Sequence, residues 1–426
     1  MRWLIVFWIF IISATAYLDR VNISIAARSI ANEFHLSNVQ LGWVFSAFVL
    51  GYALFQAPAG RFADRVGPRL TLAAGVVWWG IFTALLTFLS PAAPVLLWLV
   101  IGIRFCLGVG EAVVYPASNC VVASWIPCAE RGMANGFIFA GVGFGAGVTP
   151  PLIAFIMREH GWRAAFWVSA AAGLAVGAIW YVIARDTPAQ HPWISAEERK
   201  LIASGVATQL SDSKRRPLSW TTILGNRDLW AITLSYFAYG YAAYIFFSWF
   251  FIYLSEVRGL NLKQSPYYTM LPFLAMAIAS PLGGWISDRV MKSHGKRLGR
   301  CGIAVVGMAL AAIFIGVGTL VASAQLASVI LAGGAGALYL SQSSFWSVSA
   351  DIGNESAGSV SGFMNMGGQL GGALTASLSP AIANRFGWSA SFLVAAALCA
   401  CGALLWTTVN PGSSPIEREQ DGDIGQ

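Results

Sequence analysis

A chain of 426 residues that is 57% hydrophobic and only 11% charged is not a water-soluble globular protein, since soluble domains carry roughly 25% charged residues. Its net charge of +7 does not point to nucleic acid, because no Lys/Arg cluster is interleaved with aromatics in a polar region; basic residues crowd the cytoplasmic loops of membrane proteins instead. The six cysteines (Cys106, Cys120, Cys128, Cys301, Cys399, Cys401) show no ligand-like spacing with histidine, so buried free thiols are expected, with no disulfide framework and no metal site.

Twelve apolar stretches follow in chain order, at roughly 3–27, 38–60, 70–90, 94–118, 132–157, 163–184, 228–254, 266–288, 300–322, 326–350, 356–382 and 387–409. Each is near the ~20 residues that a helix needs to cross a bilayer. Each must be a helix, because lipid offers no partner to open backbone. The first is too long and too polar at its centre for a cleaved signal.

That centre reads YLDRVNISIA (Tyr17–Ala26) and holds Asp19 beside Arg20. At about 100° per residue Asp19 turns away from Arg20, while Tyr17 shares Arg20's face. The two charges are therefore not expected to pair with each other. The sequon at Asn22 lies inside the span and carries nothing. Span two ends in GRFADRVGPR (Gly60–Arg69). Span four sets Arg104, Gly108, Glu111 and Tyr115 on one helical face. Asp19, Arg20, Arg104 and Glu111 are the four charges deep inside spans. Intramembrane charges are expensive and mark pathways or relays. An uncompensated buried cation favours an arriving anion, and arginine's planar fork suits a carboxylate.

Residues 185–227 are polar, charged and proline-bearing, and they separate two sets of six spans: 1–184 and 228–410, with a polar tail at 411–426. With the N-terminus inside, 18 of the 26 Lys/Arg fall in cytoplasmic segments and six in outer loops, which puts both termini in the cytoplasm. The second half has no deep charge. LSQSSFWSVS (Leu340–Ser349) and GFMNMGGQLGG (Gly362–Gly372) offer polar and aromatic groups instead, and FFSWF (Phe246–Phe250) reads mostly as packing. GRFADR recurs as GWISDR (Gly284–Arg289) 224 residues on, and GWRAAFW (Gly161–Trp167) as GWSASFL (Gly387–Leu393) 226 on. The halves therefore read as parallel repeats with one topology.

GRFADRVGPR closely resembles the signature loop of major facilitator superfamily transporters, and GGWISDR its second-half echo. YLDRVNISIA, GYALFQAPAGRFADRVGPR, RFCLGVGEAVVYPASN and HPWISAEE together resemble the anion:cation symporter family, which includes bacterial sugar-acid permeases. The resemblance implies an all-α membrane protein of twelve helices in two pseudo-symmetric six-helix bundles. It implies proton-coupled import of an organic anion by alternating access, across the inner (plasma) membrane. It places Arg20 on the substrate carboxylate and makes Asp19 and Glu111 the proton carriers, with Arg104 in their charge network. Tyr52, Ser343, Trp346 and Asn365 match substrate-facing positions, and Tyr17 joins them through its face shared with Arg20. Gly60, Asp64, Arg65, Gly67, Asp288 and Arg289 form the gating motif, with Asp64 or Arg65 expected to pair with Glu130 or Arg131. Val142 and Phe345 stand where sugar-acid permeases often carry polar residues, so an aromatic or other small carboxylate is an alternative substrate. A drug:proton antiporter lacks its span-five glycine–proline signature here, and a non-transporting receptor is a further alternative. No enzyme is expected, and no cofactor beyond the proton gradient. The expected partners are the small organic anion, protons and the lipid bilayer, for a monomer that binds no nucleic acid.

Overall fold

The structure, a computed structural model, describes residues 1–92, 95–206, 218–250, 253–259, 265–353 and 356–411. The tail beyond 411 and residues 207–217 of the central loop lie outside the described residues. The helices are α1 (Arg2–Glu33), α2 (Asn38–Val66), α3 (Pro68–Leu85), α4 (Leu96–Glu111), α5 (Val114–Trp125), α6 (Arg131–Ile183), α7 (Ala196–Val206), α8 (Trp220–Gly225), α9 (Arg227–Ser248), α10 (Ser265–Lys296), α11 (Ile303–Leu320), α12 (Ala324–Gly353), α13 (Ala357–Phe386) and α14 (Trp388–Trp406). Nine helical stretches among the described residues are long and apolar enough to cross a membrane, and one of them, Met270–Leu320, holds two crossings divided near Gly295. The other two crossings, α9 and α13, are more polar because they carry tyrosines, amides and small residues. Twelve crossings result, as expected.

Of the five glycines with positive φ among the described residues, four divide crossings at repeat-matched places. Gly67 (φ 99) and Gly295 (φ 86) follow spans two and eight, while Gly161 (φ 77) and Gly387 (φ 84) follow spans five and eleven. L-residues rarely adopt that backbone, so the duplicated sequence is written into duplicated breaks. Span four is interrupted between α4 and α5 just after Glu111. Pro116 explains this, because it has no N–H for the carbonyl of Ala112.

The motif read as a loop is helical. Gly60–Arg65 form the last turns of α2 and Gly284–Arg289 lie inside α10. The polar residues extend each helix past the apolar span, and the turn comes only at Gly67.

The halves meet where α2 crosses α13 and α6 crosses α10. A Cβ on Gly60 would stand 1.9 Å from the carbonyl oxygen of Gly358, and one on Gly284 would stand 2.1 Å from that of Gly132. Only glycine permits either approach. Asp64 accepts from the backbone N–H of Gly358 (2.9 Å) and Ser359 (2.8 Å), the first turn of α13. Asp288 accepts from Gly132 (2.9 Å) and Met133 (2.7 Å), the first turn of α6. Each carboxylate thus satisfies orphan donors at a positive helix end of the opposite half.

The expected pairing of Asp64 or Arg65 with Glu130 or Arg131 is not what forms. Glu130 pairs with Arg2 at 2.9 Å. Arg131 pairs with Asp351 across the halves, both fully buried. Arg65 is exposed at the end of α2, and Arg289 is exposed and lies over the Trp285 ring. The helix start offers Asp64 several aligned donors, which a single exposed arginine does not match. These contacts cluster at the end that carries the central linker, where Arg2 also reaches Glu198 of α7 at 3.2 Å.

Candidate functional site

Between the halves lies a cavity with about 450 Å³ of empty space, open solvent at its mouth included. Nine of its sixteen lining residues are aromatic and none is charged, so any charge that acts on its contents comes from just behind the wall. Tyr17, Tyr52, Val142 and Asn365 are in the lining.

Behind Tyr17 and Tyr52 sits Arg20, its guanidinium carbon 4.9 Å and 4.0 Å from their ring centroids. Its Nε donates to Glu111 Oε2 at 2.7 Å, and its Nη2 has no partner among the described residues. The helical angle therefore separates Asp19 from Arg20 as the sequence indicated, and the arginine's partner comes from α4 instead. Asp19 is 3% exposed, both its oxygens lack a hydrogen-bond partner among the described residues, and it interacts electrostatically with Glu111 and Arg104. Arg104 lies over the Phe48 ring at 4.7 Å, with Nε and Nη1 unpartnered. Gly108 lies between Arg104 and Glu111 on α4. It admits the backbone of α2, since a Cβ there would stand 2.2 Å from the Phe48 carbonyl oxygen. That close approach packs Phe48 and Tyr52 beside the charges. Four charges are thus brought together with one ion pair among them, and hydrogen-bond capacity is left over on every one. Such a cluster is poorly matched to itself.

The second half supplies a different wall. Tyr236, Tyr239, Tyr244 and Phe247 line the cavity from α9. Tyr244 donates to Gln369 at 2.7 Å, and Asn365 donates to Gln56 of α2 at 2.8 Å. Tyr236 Oη accepts from Gln342 Nε2 at 3.0 Å and from Trp346 Nε1 at 3.2 Å. Trp346 is buried behind the wall, against Tyr115 and Phe139. Ser343 is fully buried with its hydroxyl unpartnered, outside the lining. Phe345 packs behind Tyr236 and Tyr239 and does not face the cavity. The sequence reading took Gln342 only as one of the polar groups of Leu340–Ser349, without a role, and passed over Gln56 and the α9 tyrosines. The signal was available, because positions 236, 239, 244 and 247 repeat at helical spacing.

Twelve crossings, two repeat-related halves and a central cavity between them define a secondary-transporter architecture. The profile of the Major Facilitator Superfamily matches residues 9–376 and 353–423, and the chain belongs to that superfamily. It is a multi-pass membrane transporter, not an enzyme. It is 35% identical over 93% of its length to the probable sulfoacetate transporter SauU of Cupriavidus necator, covering 91% of that protein. It is 30% identical to the chloroplastic ascorbate transporter of Arabidopsis thaliana over 98% of this chain and 76% of that one. To the hexuronate transporter of Bacillus subtilis it is 28% identical, over 94% and 92%. The solved proton:xylose symporter XylE, bound to 6-bromo-6-deoxy-D-glucose, shares the fold with a TM-score of 0.74 at 17% identity over 99% of both chains.

Proposed function

We propose that this transporter is a proton-coupled symporter that imports a small organic carboxylate by alternating access, as a monomer in the plasma membrane with termini and linker in the cytoplasm. One observation carries the reading. Arg20, its side chain only 11% exposed, lies beside an uncharged cavity, held by one carboxylate through Nε, with Nη2 left over among the described residues. A substrate carboxylate entering there takes hydrogen bonds from the guanidinium and stands in for Glu111. A displaced Glu111 left ionised and unpaired would be strongly unfavourable, so it takes a proton. Asp19, already unpartnered, is the second proton carrier, and Arg104 compensates whichever carboxylate is ionised. Proton release on the linker side restores Glu111 to Arg20 and expels the substrate. Coupling requires only that protonation and substrate bias one equilibrium. The relatives named for sulfoacetate and hexuronate support an acid as cargo. With Asp64 and Asp288 both engaged, the linker end is closed and the cavity faces the other side.

The test is uptake of a panel of carboxylates into liposomes under an imposed inward proton gradient, an inward sodium gradient, or none. Uptake driven by protons alone is expected. Uptake driven by sodium, or indifferent to either gradient, overturns proton coupling. A panel without any transported carboxylate overturns the substrate class.

A further inference from the structure

Of the two walls of the cavity, the proposed function uses only the first half's, behind which Arg20 sits. The second half's wall includes Tyr236 and Gln342, which are 5% and 2% exposed and both line the cavity. Tyr236 Oη accepts two hydrogen bonds, from Gln342 Nε2 and from Trp346 Nε1. Its own hydrogen is therefore left to donate elsewhere. Gln342 Oε1 is buried without a partner among the described residues. Side by side, these atoms present one donor and one acceptor to the cavity, and a buried polar atom left unpaired is costly. No Lys, Arg, Asp or Glu joins them in the lining.

We infer that the substrate is a singly charged carboxylate with a flat, uncharged body whose far end carries a hydroxyl, held between Tyr236 and Gln342. This rests on the proposed carboxylate site at Arg20 and adds the identity of the opposite end. A hydroxyl both donates and accepts, so it satisfies Gln342 Oε1 and takes the Tyr236 hydrogen at once. A second carboxylate there would meet tyrosine hydroxyls, the repelling oxygen of Gln342 and no cation in the lining, and a buried charge without a counter-charge is strongly disfavoured. The flat body follows from the walls. Tyr115 and Phe139 stack at 4.7 Å and Tyr236 and Tyr239 at 5.0 Å, with interplanar angles of 16° and 8°. Such paired ring planes favour a slab-shaped guest over a puckered polyol.

Three acids on one ring separate these features: para-hydroxybenzoate, benzoate and terephthalate, with D-glucuronate beside them. Equilibrium binding to the purified full-length protein is measured for each, in wild type, Gln342→Leu and Tyr236→Phe. Para-hydroxybenzoate should bind about tenfold tighter than benzoate, the effect of leaving a buried acceptor unpaired. It should bind at least roughly 100-fold tighter than terephthalate, as for an unpaired buried charge. Either substitution should bring the hydroxybenzoate-to-benzoate ratio close to one, and a ratio within one protein does not depend on how much of it folds. Terephthalate bound as well as para-hydroxybenzoate, or a hydroxyl preference kept in both variants, overturns the inference. D-glucuronate bound while the ring acids are ignored also overturns it but leaves the Arg20 site standing. Binding of none of the four overturns the carboxylate reading itself.

Discussion

At the linker end the two halves of the molecule do the same thing twice. Asp64 sits on the opening amides of α13 and Asp288 on those of α6, with Gly60 against Gly358 and Gly284 against Gly132. At the depth of the cavity both halves line the space with aromatic rings, but they differ in what stands with those rings. The first sets Asp19, Arg20, Arg104 and Glu111 behind its wall. The second adds the amides Gln342, Asn365 and Gln369 to the lining. A motion that opens one end and closes the other needs matched contacts on both sides of the pseudo-twofold axis. Recognition of a guest with a charged end and a neutral end needs walls that differ. On the proposed mechanism, the duplicated scaffold keeps its symmetry where the parts would move and loses it where they would bind.

The sharpest way to break this contrast is to exchange the importance of the two walls. Arg20→Ala should lower carboxylate uptake by roughly 100-fold or more, because it removes the counter-charge of a buried anion and strands Glu111. Gln369→Ala, on the neutral wall, should cost about tenfold or less. Equal losses in liposome uptake would show that the charge asymmetry does not govern binding. Glu111→Gln comes next. Gradient-driven accumulation should fall to the level seen without a gradient, while counterflow exchange of labelled substrate persists. Accumulation that still follows the gradient would remove Glu111 from proton coupling.

The symmetric end can be probed with paired substitutions. Gly60→Ala and Gly284→Ala each place a methyl group against a carbonyl of the other half. Both should favour the state open at the linker end and speed maleimide labelling of Cys128, which lies near Asp351 between the halves, by about tenfold. Gly42→Ala, with nothing within 4 Å of its Cβ, is the control. A large effect from one glycine and none from its repeat partner would show that the latches are unequal.

The smallest expected effect concerns a tie that only the first half possesses. Glu33 bonds Arg163 and Trp162, whereas the repeat counterpart of Arg163 is Ser389. Burial alone would raise the Glu33 carboxyl, but the hydrogen bonds from Trp162 and Arg163 and the Arg163 charge bring it below its ordinary value of 4.5. Its stabilisation is therefore complete above that ordinary value and is lost as pH falls through the lower folded-state value. Glu33→Gln should lower Tm by about 1–2 °C near neutrality, since the pair is largely solvent-screened. The gap from wild type should close in acid; a gap that persists there would mean that packing, not charge, is what Glu33 provides.

Much of this was legible before any coordinates. Hydropathy runs marked the twelve crossings, and the offsets of 224 and 226 residues revealed the repeat. Helical angle separated Asp19 from Arg20 and put Arg104 and Glu111 on one face. What failed to show is what depends on a neighbouring helix. The partner of Arg20 lies 91 residues away, that of Arg131 lies 220 away, and Asp64 reaches residues 294 and 295 positions on. The Gly60–Arg65 motif looked like a loop because it is polar, yet helix propensity does not end where lipid does. Phe345 looked like a pocket residue from its position in a motif, but a helix buried on all sides gives no signal for which face meets a void.

The sequence by itself determined that this chain crosses the membrane twelve times, that its halves are copies, and that its deep charges belong to the first. These are properties of local composition and spacing, which each helix expresses alone. Only the tertiary structure decided that Glu111 holds Arg20, that Asp19 is left without a hydrogen-bond partner among the described residues, and that Gln342 and Tyr236 join in the lining of the cavity. Those facts depend on how far each helix is rotated and shifted against its neighbours, and rotation and shift are settled by packing over the whole bundle at once.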